Sequence, residues 1–311
     1  MGKENSMKKI AVLLAAYNGE RWIQEQIQSI INQKNVSVHL FISLDSSTDA
    51  SLSILQNIVS THDNISLLPY GEKFGAAAPN FFHLIEDVCC DEFDYVALSD
   101  QDDIWLEAKL FSGILKIEEN KAAGYSSNVT AFWANGKQKN VKKASHQKKY
   151  DFLFEGPGPG CSFIMTRQFF NEFKTQLINK KSIAKKIDWH DWLIYAYARS
   201  KQYNWYIDKD SYMLYRQHEN NQLGANSGLK QFTKRVHDIC SGYGIYQTAL
   251  TVNFCDFENE DFVKRWYMKG RKGYFFLMNH SNMCRRRLKD IFLFWGACLS
   301  MFIINSKMEE E

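Results

Sequence analysis

The first hundred residues alternate between two hydrophobic periodicities. Residues 10–16 (IAVLLAA) form an unbroken apolar run that stops at Asn18-Gly19, the pattern of a strand buried on both faces. Over 20–33, Trp22, Ile23, Ile27, Ile30 and Ile31 recur at helical spacing. Residues 38–44 predict a second strand, and Ser47, Thr48 and Asp49 offer capping side chains for a helix through about Ser60. A short strand at 65–68, a helix at 79–88 and a strand at 95–99 complete the series. Strands that alternate with helices imply an α/β fold, Rossmann-like, with a mainly parallel sheet and crossover helices.

The pattern then becomes less regular. A helix is expected from 106 to about 120, a strand over 129–134, and a turn at Asn135-Gly136. Residues 137–149 are polar and Lys-rich, and read as a mobile surface loop. Gly156-Pro157-Gly158-Pro159-Gly160 reads as a corner leading into a strand over 161–166. Polar clusters follow at 188–198 and 203–215, and from about 229 the pattern is helical and increasingly basic. There is no internal repeat.

Length and composition add a division. With 311 residues, 45% of them hydrophobic, the chain suits one catalytic domain and an appendage, or two small domains. The expected boundaries are 1–228 for the domain, with halves at about 8–106 and 107–228, and 229–311 for a helical, basic region. The net charge of +3 is small, so no strongly basic or acidic partner follows from the total alone. The seven cysteines include no CxxC pair, so reduced thiols in a cytoplasmic setting are the simplest reading. The polar start and the brief first apolar run do not read as a signal peptide.

Three loops carry candidate chemistry, because ligands of open α/β sheets bind at the carboxyl ends of the strands. Tyr17-Asn18-Gly19, Asp45-Ser46-Ser47-Thr48-Asp49 and Asp100-Gln101-Asp102-Asp103 should share that edge. Three carboxylates within four residues repel one another unless they meet water or a cation. Their hard oxygens suit Mg²⁺ or Mn²⁺; a solvated acidic turn before the next helix is the competing account. In Asp188-Trp189-His190-Asp191-Trp192 an apolar wall could raise a carboxylate towards general-base duty, and helix capping explains the same residues equally well. In Tyr215-Arg216-Gln217-His218, Arg216 could bind a diphosphate and His218 a metal, against the alternative of a polar loop.

Taken in order, five segments resemble glycosyltransferase family 2, inverting enzymes of GT-A fold. They are Ala15-Ala16-Tyr17-Asn18-Gly19, Asp45-Ser46-Ser47-Thr48-Asp49, Asp100-Gln101-Asp102-Asp103-Ile104-Trp105, His190-Asp191-Trp192 and Tyr215-Arg216-Gln217-His218-x-Asn220-Asn221. The later segments look most like rhamnosyltransferase-type members that build bacterial O-antigen and capsular polysaccharides. The resemblance implies that Tyr17 and Asp45 bind the nucleobase, with Ala15, Asn18 and Gln101 in the same nucleotide-sugar site. It implies Asp100 on the ribose or the metal, Asp102 on the metal, His218 on the metal or diphosphate, and Asp191 as catalytic base. The implied donor is dTDP-rhamnose, with a UDP-hexose or UDP-N-acetylhexosamine as alternative, and the implied acceptor is a lipid-linked glycan. One departure concerns the nucleobase: the family commonly has two acids before its Gly-Ser, where this chain has Leu44, Asp45 and Ser46. A non-catalytic glycan-binding module and a nucleotidyltransferase are the readings from other classes; intact Asp100, Asp102 and Asp191 speak against the first.

Residues 264–289 hold nine Lys/Arg and no Asp/Glu, interleaved with Trp266, Tyr267, Tyr274, Phe275 and Phe276. The uncharged run 291–304 follows. As a helix it would reach about 21 Å, short of a hydrocarbon core of roughly 30 Å. A basic, aromatic segment before a short apolar one suits docking on an anionic membrane, at the cytoplasmic face of the inner membrane. Packing on the catalytic domain is the alternative. No nucleic-acid reading module accompanies these charges.

Overall fold

The computed structural model describes residues 7–218 and 242–308. Among them the strands form one nine-stranded sheet. The strands are β1 (Lys8–Ala16), β2 (Val36–Leu44), β3 (Ile65–Leu67), β4 (Tyr95–Ser99), β5 (Ile104–Trp105), β6 (Gly124–Trp133), β7 (Gln138–Val141), β8 (Ile164–Thr166) and β9 (Trp205–Gln217). Their order is β3-β2-β1-β4-β8-β6-β9-β5, with β7 also paired to β6. The helices are α1 (Ile23–Ile31), α2 (Ser51–Val59), α3 (Ala77–Asp87), α4 (Lys109–Asn120), α5 (Arg167–Asn179), α6 (Lys181–Ala184), α7 (His190–Ser200), α8 (Tyr243–Phe254), α9 (Asp261–Lys264), α10 (Gly270–Asn279), α11 (Ser281–Cys284) and α12 (Leu288–Met308).

The first half follows the sequence pattern. β1 pairs in parallel with β2 and β4, so Ala16 lies opposite Leu44 and Leu14 opposite Ser99. The three loops that follow therefore leave one edge of the sheet. Along β1, Ala11 and Leu13 join one core, while Ile10, Val12 and Leu14 join the other. That alternation explains why an unbroken apolar run is needed there; each such buried aliphatic side chain contributes about 1.5–3 kcal/mol.

The second half departs from expectation. Short antiparallel pairings join the mainly parallel sheet here: β8 runs antiparallel between β4 and β6, and β5 antiparallel to β9, while β6 and β9 pair in parallel. β8 is three residues long, so its direction left no mark on the hydrophobic period. The stretch expected to be a strand over 161–166 opens as a tight turn at Gly160–Ser162. The Lys-rich stretch 137–149 is not wholly a loop, because Gln138–Val141 forms β7, a hairpin with β6 through Gly136 at φ 81°.

The C-terminal helices pack on the catalytic core. Phe254, Val263, Trp266, Leu277, Cys284, Phe294 and Cys298 join the same cluster as Phe81, Phe163 and Trp205. Buried Arg286 pins the junction, lying 3.6 Å from Asp151 and 3.2 Å from Glu155 and donating to the Gly156 carbonyl. Arg199 meets the same Asp151 at 3.3 Å. Among the described residues no helix is long and apolar enough to cross a membrane. The boundary expected at 228 lies outside the described residues, as do Asn220 and Asn221.

Candidate active site

The loops after β1 and β2 are stitched together by short polar side chains. Asn18 adopts φ 46°, its N–H donates to Ser47 Oγ (3.0 Å), and its Oδ1 accepts from the Thr48 N–H (2.8 Å). Asn tolerates this left-handed geometry better than most residues. The Gly19 N–H donates to Ser51 Oγ (2.7 Å), and the Glu20 N–H to Asp49 (3.0 Å). The Asp49 carboxylate also accepts from the Ser51 N–H at 3.0 Å, just before α2, whose cap position is Ala50 and not one of the expected Ser47, Thr48 or Asp49.

Gln101 ties the third loop to the first. Its Oε1 accepts from the Tyr17 N–H and its Nε2 donates to the Tyr17 carbonyl, both at 2.8 Å. A Cβ on Gly19 would stand 2.4 Å from that Oε1, so only glycine admits the clamp. Tyr17 is left 53% exposed above it. Asp45 is buried, and its carboxylate accepts from the N–H groups of Ser46 (2.7 Å), Phe74 (2.8 Å) and Gly75 (2.8 Å). In this geometry Asp45 anchors the 74–75 loop at the cleft.

The acidic segment lies under these loops. Burial, and next the negative charge of Asp102, push the Asp100 carboxyl up to about 7. Asp103 is fully enclosed, with Oδ1 accepting the Arg216 N–H (3.2 Å) and Oδ2 without a hydrogen bond. One ligand atom each from Asp100, Asp103 and Cys161 lie within 4.8 Å of one another. Asp102 Oδ2 lies 2.7 Å from His218 Nε2, whose ring stacks on Trp22 at 4.2 Å between centroids. Adjacent ligands of a small cation with bonds of about 2.0–2.1 Å stand roughly 3 Å apart, so the Asp102–His218 contact fits one edge of a coordination shell. The crowded carboxylates and the unpartnered Asp103 oxygen fit a divalent cation here. Arg216 departs from expectation. It lies behind this group and is absent from the cleft lining; its Nε donates to the Asp102 carbonyl (2.8 Å), its guanidinium pairs with Glu25, and it packs on Phe132.

Asp191 faces this group across the cleft and contributes to the rise of the Asp100 carboxyl. It stands in the first turn of α7, where Oδ1 accepts the Trp192 N–H at 2.7 Å. The neighbouring His190 stacks on Phe81 at 4.1 Å and burial lowers its pKa. The Gly-Pro corner closes against both: a Cβ on Gly160 would stand 2.6 Å from His190 Nε2 and 3.3 Å from the Asp191 Cβ.

The cleft has a volume of about 1170 Å³. Ala15, Tyr17, Asn18, Asp45, Asp100, Gln101, Asp102, Asp191 and His218 all line it. Trp22, Lys143, Arg285 and the inner side of α12 line it too and were not expected to. Trp22 showed only the apolar spacing of a helix, Lys143 lay in a stretch that read as a surface loop, and Arg285 and α12 lay in the segments that read as suited to membrane docking.

The model of the family described as "Glycosyl transferase family 2" matches residues 11–188. The chain is 40% identical over 291 residues to the dTDP-rhamnosyl transferase RfbG of Shigella flexneri, covering 93% of this chain and 100% of that protein. It is 25% identical to the GalNAc(5)-diNAcBac-PP-undecaprenol beta-1,3-glucosyltransferase of Campylobacter jejuni, over 76% of this chain and 72% of that protein. Among solved structures, S. aureus TarS 1-349 in complex with UDP-GlcNAc superposes with a TM-score of 0.52 at 13% identity, covering 97% and 92% of the two chains. The mannosyltransferase PcManGT from Pyrobaculum calidifontis, in complex with GDP-Man and Mn²⁺, gives 0.50 at 11% identity, covering 96% and 86%. Matched by the family model over more than half its length, the chain belongs to glycosyl transferase family 2 and is a glycosyltransferase of GT-A fold.

Proposed function

We propose that this glycosyltransferase moves rhamnose from dTDP-rhamnose, with inversion, to a lipid-linked polysaccharide acceptor of the O-antigen or capsule type. One observation carries the reading: 40% identity to a dTDP-rhamnosyl transferase along the whole of that relative. The acceptor class is supported by the Campylobacter jejuni relative, whose name specifies a PP-undecaprenol-linked glycan. In this reading residues 1–228 form the catalytic unit and 229–311 a helical region that docks peripherally on an anionic membrane at its cytoplasmic face.

The site residues then divide the work. Ala15, Tyr17, Asn18 and Asp45 cradle the nucleotide, with Gln101 and Arg216 holding the loops from behind. Asp100, Asp102 and His218 would hold Mg²⁺ or Mn²⁺, which supplies charge neutralisation for the diphosphate. Asp191 accepts the proton of an acceptor hydroxyl. The freed oxygen bonds to the anomeric carbon from the face opposite the donor's phosphate, and the carbon–phosphate-oxygen bond breaks. The electron pair leaves with the nucleoside diphosphate, and one displacement without a protein nucleophile inverts the centre.

The deciding assay is release of nucleoside diphosphate from dTDP-, UDP- and GDP-sugars, with Mg²⁺ or Mn²⁺ and then with EDTA, in the presence of a lipid-linked acceptor extract. Release of dTDP from dTDP-rhamnose, lost with EDTA and in Asp102→Ala, is expected. Release of UDP from a UDP-hexose or UDP-N-acetylhexosamine would replace the donor. Absence of both release and donor binding would sink the transferase reading of the site.

A further inference from the structure

The cleft has two chemically different halves. The donor half is lined by Asp100 and Asp102, with Asp103 enclosed behind them, a cluster of three carboxyl groups. Beyond Asp191 the wall is the inner side of α12, with Phe294, Ala297, Cys298 and Met301, and two cations, Lys143 and Arg285, stand in it. A neutral sugar hydroxyl calls for neither the apolar wall nor the cations. An amphiphile with an anionic group near its sugar calls for both.

Lys143 is held for such a role. Its N–H and that of Ala144 both donate to Oδ1 of buried Asn128, at 2.5 and 2.9 Å. The Gly-Pro corner backs it, with the Lys143 Cβ 3.7 Å from where a Cβ of Gly158 would stand. Its ammonium group is in no ion pair among the described residues, and Arg287, Asp191, Arg286 and Asp290 all act on it electrostatically. The Lys143 side chain is exposed in the cleft wall, where an arriving anion gains a charge-assisted contact. Arg285 packs on the Phe294 ring at 5.5 Å and reaches Glu155 only at 3.8 Å, while Arg286 holds that carboxylate at 3.2 Å.

We infer that Lys143 and Arg285 form a subsite for the phosphate or diphosphate that joins the acceptor glycan to its lipid, with the inner wall of α12 receiving the first part of the apolar chain. The inference rests on the lipid-linked acceptor and on Asp191 as base. Transfer kinetics of the full chain should be compared on two acceptors with the same glycan, one linked by diphosphate to a short prenyl chain and one on a neutral alkyl aglycone. Lys143→Gln should raise KM for the diphosphate acceptor about tenfold, as expected for a lost charge-assisted contact. KM for the neutral acceptor and for the donor should be unchanged, and Lys143→Arg should restore the wild-type value. Equal effects on both acceptors, or none, would overturn the subsite. A second arm titrates inorganic pyrophosphate into protein saturated with nucleoside diphosphate: binding that weakens in Lys143→Gln is expected, and its absence in wild type overturns the subsite whatever the acceptors do. Failure of the underlying base assignment looks different, because Asp191→Asn would then retain transfer.

Discussion

Asp191 stands in the first turn of α7 and in the wall of the cleft; the cap position of that helix is Trp189, which makes no side-chain capping bond, so capping does not account for the Asp191 carboxylate. Its Oδ1 accepts the Trp192 N–H at 2.7 Å, which fixes the carboxyl in the first turn of α7. Asp191→Asn keeps the shape and removes the proton acceptor. Transfer should fall about 10²–10⁴-fold, with donor affinity by calorimetry unchanged within about twofold. A variant keeping a tenth of the wild-type rate would remove Asp191 from the mechanism. Asp100 gives a pH signature. Its folded carboxyl is pushed from 3.8 up to about 7 by burial and the charge of Asp102. The folded value lies above the unfolded one, so this group's contribution to stability is full below 3.8 and is lost as pH rises towards about 7. EDTA-treated protein should therefore melt at lower temperature at pH 7 than at pH 5, Asp100→Asn should flatten that slope, and divalent cation should restore most stability at the higher pH. A thermal-melt series with and without Mn²⁺ checks all three.

At the scale of elements, the Gly-Pro corner controls the approach of β8 and α7. Gly160 is buried, and the added methyl of Gly160→Ala would meet His190 Nε2 at 2.6 Å. His190 cannot swing aside freely, being stacked on Phe81 of α3. The start of α7 must shift, carrying Asp191 with it. The expected result is a loss of kcat of about tenfold to a hundredfold with donor KM little changed, because misplacement of about 1 Å costs on that order. Wild-type rates in a folded Gly160→Ala protein would show that the corner does not set the base. The same scale shows where pattern reading was sound. β1 and β2 lie in long runs with one periodicity each, whereas β5 and β8 are two and three residues long and exist through pairing with distant strands.

Across the whole molecule, α12 is two-sided. Its inner side walls the cleft, while Leu288 (75% exposed), Phe292 (73%), Trp295 (43%) and Ile303 (49%) form an outer stripe at i, i+4, i+7 and i+15. Arg287 donates to the Lys142 carbonyl, so the Lys-rich β7 region meets the basic start of this helix. An apolar stripe beside clustered cations suits an interfacial helix on anionic lipid. The double variant Leu288→Asp/Phe292→Asp should bind phosphatidylglycerol-containing vesicles at least about tenfold more weakly, since each inserted side chain is worth about 1.5–3 kcal/mol. Its rate on a water-soluble acceptor should be unchanged. Equal sedimentation of variant and wild type with those vesicles would exclude this face as the docking surface.

The sequence by itself determined the strands and helices of the first hundred residues, the shared edge of their loops, and the polar residues that those loops bring to the cleft. Those features are local: a strand buried on both faces must be apolar throughout, and a loop that handles charge must be polar. The tertiary structure decided what depends on distant partners. It set the antiparallel insertion of β8, turned Arg216 back against Glu25 and the Asp102 carbonyl, and folded the C-terminal helices onto the catalytic core through Arg286. It also brought Lys143 and α12 to the far side of Asp191, although they lie more than 140 residues apart in sequence. Hydrophobic period reports which face of an element is buried; it carries no record of which remote element buries it, and that choice made the part of the cleft beyond Asp191.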